Sequence, residues 1–246
     1  MGWMVYGPTS GSNTMRVELA DRLDELIGDP QATAQYAQYV LKHAQQGQLL
    51  ELACGTGSLA QRLRAQFTVE GLDVDPAMIR QFQQKNPGCL THTRSMTDLS
   101  GLGQYDVIVC FGDSLNYIVQ DDEVKQVFHE VYTHLKPGGV FLVDAHTEAR
   151  LTEFETEYLE EGYLGSTPYQ WSIQTLPDDL LDHHVVFYDA KGAAQRIQIV
   201  QRVYPLDQLK QWLKPFAWAI TVSSDFVEGV QPSAEKYLLA CRKEPS

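Results

Sequence analysis

Positive charge is scarce in this chain: 19 Lys and Arg stand against 32 Asp and Glu, for a formal net charge of −13. No window gathers the basic residues into a patch or stripe. Nucleic-acid binding is thereby disfavoured, because holding a phosphate backbone takes several clustered cations. No apolar run approaches the roughly 20 residues a membrane helix needs, and the N-terminus lacks the basic and apolar regions of a signal peptide. A soluble, cytoplasmic protein with no membrane partner is expected. Cysteine is sparse as well: Cys54, Cys89, Cys110 and Cys241 lie far apart with no C-x-x-C spacing, so reduced thiols are expected rather than a disulfide framework. The seven histidines form no H-x-x-H or H-E-x-x-H pattern, and no metal site is expected. Internal repeats, low-complexity tracts and Ser/Gly linkers are missing too.

What is present is 246 residues with 43% apolar content, enough for one substantial core with a modest second lobe. Residues 1–13 mix aromatics with Gly, Pro and Ser without a period and read as a loose arm. Val17, Ala20, Leu23, Leu26 and Ile27 form a helical stripe, and Tyr36, Tyr39, Val40 and His43 suggest a second helix. An alternation follows. LLELA (49–53), TVEGLDV (68–74), DVIVCF (106–111) and GVFLVDA (139–145) read as buried strands, separated by helices over 58–67, 76–85 and 121–135. Short apolar runs between amphipathic helices specify an α/β fold, a mostly parallel sheet with helices on both faces. After Arg150 come YQWSIQTL, LLDHHVVFYDA and QRIQIVQRVY, which read as an antiparallel β insertion. The expected organisation is therefore residues 1–150 as N-terminal helices and α/β core, 151–204 as the insertion, and 205–246 as the return to the core sheet. The apolar surface of the first helices and the insertion makes a homodimer possible.

ELACGTGSLA, residues 51–60, matches G-x-G-x-x-A directly after the first core strand. Glycines there let the backbone bend and approach a ligand closely, at the carboxyl end of a parallel sheet where ligands bind. That much is common to NAD and S-adenosylmethionine. A pyrophosphate prefers a helix N-terminus free of carboxylates. Here Glu51 enters the loop, Asp73 and Asp75 end the second strand, and Asp113 follows another, so the rim favours a cation. Sulfonium and ammonium groups complement it, and Asp73 can accept from ribose hydroxyls.

LLELACGTGSLA, GLDVDPAMI, YDVIVCFGDSLNYI and LKPGGVFLVDAHT resemble the successive signatures of class I S-adenosylmethionine-dependent methyltransferases over 34–147. DSLNY, DAH and the inserted HHVVFYD and QRVY are similar to a small bacterial subfamily of that class. The resemblance implies a Rossmann-like seven-stranded sheet whose antiparallel last strand is KYLLACRK. It implies S-adenosyl-L-methionine as cofactor and S-adenosyl-L-homocysteine as product. By position, Glu51, Ala53, Gly55 and Gly57 would hold the methionine end, Asp73 and Val74 the ribose, and Ser95 and Met96 the adenine. The subfamily usually has Asp immediately before that methionine; this chain has Ser95, so Ser95 or Asp98 substitutes, or Met96 and stacking suffice.

Methyl transfer from a sulfonium is an in-line displacement, so alignment and exclusion of water dominate, and a base matters only if the acceptor arrives protonated. Candidates after the fourth strand are Asp113, Ser114, Asn116 and Tyr117, for contact with the acceptor or the cofactor, the alternative being a helix-capping turn with Tyr117 packed on the adenosine. Asp144 and His146 end the fifth strand; His146 is the preferred base, with a plain structural histidine as the alternative. Tyr169, Trp171 and Tyr188 could wall an acceptor pocket, or simply pack. His183 and His184 face opposite sides of a strand, so at most one serves the site. The expected function is methyl transfer to an unidentified small-molecule acceptor; the alternatives are an NAD-dependent oxidoreductase or a non-catalytic S-adenosylmethionine-binding protein.

Overall fold

A computed structural model describes residues 25, 26, 28–189 and 191–245. The expected arm over 1–13 and nearly all of the first helical stripe lie outside the described residues. Helix α1 (Pro30–His43) starts where Pro30 takes the first helical position and the Asp29 carboxylate accepts from the Gln31 and Ala32 amides, a satisfied N-cap. It buries Tyr36, Ala37, Tyr39 and Val40.

The alternation expected from sequence then unfolds as β1 (Gly47–Leu52), α2 (Ser58–Leu63), β2 (Phe67–Asp73), α3 (Pro76–Lys85), β3 (Leu90–Thr93), β4 (Tyr105–Cys110), a 3-10 turn (Ser114–Tyr117), α4 (Asp121–His134) and β5 (Leu135–His146). A short α5 (Ala149–Glu153) leads into β6 (Tyr158–Leu164), β7 (Thr167–Leu176), β8 (Leu180–Tyr188) and β9 (Ala194–Arg202). The chain returns through α6 (Leu206–Leu213), β10 (Trp218–Ser224), β11 (Val227–Glu228) and β12 (Lys236–Lys243).

The main sheet runs β11-β10-β12-β5-β4-β1-β2-β3. β5, β4, β1, β2 and β3 are parallel, and β12 pairs antiparallel with both β5 and β10. The expected seven strands with an antiparallel last strand are there, and the two-residue β11 extends the edge by one more. Alternate residues of each strand enter opposite cores. Leu50, Ile108 and Phe141 face the apolar sides of α4 and α6, and Leu49, Val107 and Leu142 face α1, α2 and α3. All six are fully buried, each worth about 1.5–3 kcal/mol of transfer free energy.

The insertion is a second sheet, β6-β7-β8-β9, antiparallel throughout. It has four strands where three were read, because β6 carries Glu160, Glu161 and Gly162 and is exposed over much of its length. Its inward face packs Val185, Phe187, Ile197 and Ile199 on Tyr117. No described helix is long and apolar enough to cross a membrane.

Candidate active site

β1 ends at Leu52, and the chain then turns through Ala53, Gly55 and Gly57 with φ of 51°, 52° and 78°. Ala53 is a non-glycine held in the left-handed region, a local cost that clusters at functional turns. A Cβ on Gly57 would lie 2.4 Å from both Asn86 Nδ2 and the Phe82 ring, so this glycine is required by packing as well as by φ. Asn86 Nδ2 in turn donates to the Gly57 carbonyl at 2.9 Å.

Asp73, at the end of β2, ties the loop down. Its Oδ2 accepts from the Gly55 amide and its Oδ1 from the Asp75 amide, each at 2.9 Å. Each oxygen keeps a further acceptor position. Burial lifts its carboxyl to about 6. Glu51 is 6% exposed, and its Oε2 has no hydrogen-bond partner among the described residues. Burial raises that carboxyl to about 7. The pair sits between two adjoining clefts that share Ala53. One is lined by Asp29, Thr33, Tyr36, Glu51, Thr56 and Gly57. The other is lined by Asp73, Val74, Ser95, Met96, Tyr117 and Ile118.

Of the two substitutes considered for the adenine contact, Ser95 lines the second cleft, with Oγ 2.8 Å from Thr97 Oγ1. Asp98 instead turns outward and accepts from the Ser100 amide at 3.0 Å. Tyr117 also lines this cleft and packs against the inserted sheet, which sets its ring beside the cofactor-side residues.

A buried polar cluster occupies the carboxyl ends of β4 and β5. Asp144 receives the Gly112 and Asp113 amides at 3.1 Å each and the Tyr36 hydroxyl. These bonds shape the turn in which Asp113 stands at φ 59°. Lys236, opposite His146 in the β5–β12 register, donates to Asp113 Oδ2 at 2.7 Å and stands 3.7 Å from Asp144. Burial opposes a charge on Asp113, but His146 when its ring is protonated, and the Lys236 ammonium throughout, hold its carboxyl below the usual range. Asp144, buried and beside the Asp113 charge, is raised to about 6.

His146 is 5% exposed. Its Nε2 lies 3.1 Å from Gln201 Oε1 on β9, and its backbone amide donates to Asn116 Oδ1 at 3.0 Å. Burial lowers its pKa, Lys236 adds to this, and Asp113 opposes it. The ring is therefore neutral at physiological pH. Nδ1 stands 3.4 Å from Asp113 Oδ1, longer than an ordinary hydrogen bond, so it is available to take a proton from a group placed beside it.

The structure thus brings Glu51, Ala53, Gly57, Asp73, Val74, Ser95 and Met96 to the two clefts, with Gly55 bonded to Asp73 behind them. It brings Asp113 and His146 together one strand further along. Asn116 has both ends of its amide engaged, the oxygen with the His146 amide and the nitrogen with the Arg202 carbonyl at 2.7 Å, so it ties His146 to the insertion. Trp171 packs near His183 with ring centroids 6.1 Å apart, while the Tyr169 hydroxyl is bonded to Glu160 on β6. Tyr36, Gln201 and Lys236 escaped the sequence reading. No local motif marks them; they reach the site through helix packing and strand register.

A methyltransferase-domain family profile matches residues 49–139. The protein named "Putative methyltransferase YqeM" from Bacillus subtilis (strain 168) is 30% identical over 212 residues, covering 82% of this chain and 85% of that protein. A dTDP-3-amino-3,6-dideoxy-alpha-D-glucopyranose N,N-dimethyltransferase from Streptomyces fradiae is 28% identical over 142 residues, 56% of each chain. Among solved structures, an S-adenosylmethionine-dependent methyltransferase from Clostridium acetobutylicum ATCC 824 superposes with a TM-score of 0.78 at 22% identity, over 94% of this chain and 98% of that one.

Proposed function

This chain belongs to the class I S-adenosylmethionine-dependent methyltransferases, and from that premise we propose that it methylates a small molecule held between the inserted sheet and the carboxyl ends of β4 and β5. The observation that carries the proposal is the Asp113–His146 pair, a partly buried carboxylate and a buried imidazole 3.4 Å apart at the ends of neighbouring strands, with His146 held by Gln201 of the insertion. The small acceptor is supported by the aminosugar methyltransferase among the relatives and by a net charge that disfavours polyanions. Free thiols at all four cysteines, three of them buried, support a reducing, cytoplasmic setting.

The cofactor fits the residues present. Glu51 offers an unpartnered, buried carboxylate oxygen to an ammonium group, and Asp73 keeps acceptor positions for ribose hydroxyls. When bound, S-adenosylmethionine supplies a methyl group on a positively charged sulfur. The protein's part is alignment and a dry surrounding. Tyr117 and Ile118 close the second cleft toward the insertion, Asp113 and His146 orient the acceptor, and His146 Nδ1 receives its proton where one must leave. The dinucleotide alternative gives way to the family assignment and to the acidic floor of the loop.

The test is a screen in which protein and methyl-labelled S-adenosylmethionine meet amines, aminosugars, phenols and carboxylic acids, with bulk RNA and protein as large acceptors. Label should enter a small molecule, and His146→Ala should slow transfer about 10²-fold or more while S-adenosylhomocysteine affinity is kept. Label entering only RNA or protein would sink the small-molecule reading; an undiminished His146→Ala rate would remove the base.

A further inference from the structure

The inserted sheet turns a largely apolar face to the core, and one ionisable side chain on it has no evident structural duty. From β8 that face presents Leu181, His183, Val185 and Phe187. Gln201, from β9, holds His146. His183 is 5% exposed, and neither ring nitrogen has a hydrogen-bond partner among the described residues. Its neighbour His184 points the other way, exposed and 3.0 Å from Asp182. A leucine would suit the position of His183 better, since a buried imidazole without partners weakens a fold.

The unpartnered atoms continue across the seam. Trp171 Nε1, both nitrogens of His183, His146 Nδ1 and Asp113 Oδ1 are all buried and unbonded among the described residues. Gln201, which holds His146, pairs with Leu181 two residues before His183 on the same face of β8, and the Trp171 ring lies 6.1 Å from that of His183, so strand register brings these groups to one seam. Native proteins leave few buried polar atoms unsatisfied, so a concentration of them at one seam calls for partners, which a ligand with several polar groups would supply together.

The chemistry of these atoms narrows the ligand. Nearby charges are already matched: Lys236 with Asp113 at 2.7 Å, Arg150 with Glu153, and Asp144 with two backbone amides. A charged group entering the seam would have to bring or displace a counterion. The free positions belong to neutral imidazoles, an indole N–H, one carboxylate oxygen and the Nε of Arg150, whose guanidinium charge Glu153 already matches; burial pushes His183 down to about 4, so its ring is uncharged. They suit a group that both donates and accepts.

We infer that His183 is an acceptor-recognition residue, binding an uncharged hydroxyl group of the methyl acceptor between itself, Trp171 and the Asp113–His146 pair. The inference rests on the methyltransferase reading and adds the acceptor's chemical class to it.

Two measurements test it. His183→Leu should unfold at a Tm equal to or above that of the wild type, with S-adenosylhomocysteine affinity unchanged within about twofold; a lower Tm would make His183 a structural residue and overturn the inference. Independently, the wild-type protein saturated with S-adenosylhomocysteine is titrated with glycerol, acetate and ethylammonium while the His and Trp ring N–H signals are followed. Glycerol should move the His183 and Trp171 signals, and in His183→Leu the Trp171 response should vanish. A stronger response to acetate or ethylammonium would overturn the uncharged class, and silence from all three would overturn the site. Failure of the wild type to bind S-adenosylhomocysteine would instead count against the cofactor reading, and shows separately from the Tm comparison.

Discussion

Glu51 shows how one side chain can cost stability and serve binding. Its carboxyl, near 4.5 when solvated, rises to about 7 through burial. A raised carboxyl pKa stabilises the fold fully only below the solvated value, and that contribution is lost as pH climbs through 7. Glu51→Gln cannot ionise. It should therefore raise the Tm of the cofactor-free protein at pH 8, leave it nearly unchanged at pH 5, and weaken S-adenosylhomocysteine binding at pH 8 by at least tenfold. Thermal melts at the two pH values and one titration check this; a lower Tm at pH 8 would mean that Glu51 is held by partners the proposed role does not need. Glu51 and Asp73 were legible in the sequence because each stands at the carboxyl end of an apolar strand, Glu51 just before the glycine turn, where chain position alone sets the location. Lys236 was not. It reaches Asp113 only because β12 runs antiparallel and sets Lys236 against His146. Nothing in SAEKYLLAC announces that register.

Among the elements, the loop between β1 and α2 carries the cofactor argument. Gly57 has φ 78° and no room for a Cβ between Asn86 and Phe82. Gly57→Ala should therefore lose more than about 1 kcal/mol of stability and much of its S-adenosylhomocysteine affinity, as read from denaturant unfolding and calorimetry. A folded variant with wild-type affinity would show that the loop need not hold this geometry. The core strands were readable because apolar runs buried on both faces leave a strong signal. β3 and β6 were not: Leu90–Thr93 is a short, partly exposed edge, and the alternation of β6 is masked by charged and small residues facing solvent. The pairing of His183 and His184 was readable as an opposition of faces, but which one turns inward depends on how the insertion docks, a tertiary fact.

Taken whole, the molecule sets its acids and its lid on one side of the parallel sheet. Glu51, Asp73, Asp113 and Asp144 all lie at or just past the carboxyl ends of β1, β2, β4 and β5, and the inserted sheet packs over the last two through Asn116, Tyr117 and Gln201. That acidic edge is what separates a sulfonium cofactor from a pyrophosphate-bearing one built on the same glycine turn. The most direct measurement is calorimetric titration of the wild-type protein with S-adenosylhomocysteine and with NAD at pH 6 and pH 8. The account predicts binding of S-adenosylhomocysteine alone, weaker at pH 6 by up to about tenfold because a proton on Glu51 competes with the ligand's ammonium. Binding of NAD, or an S-adenosylhomocysteine affinity indifferent to pH across that interval, would contradict it.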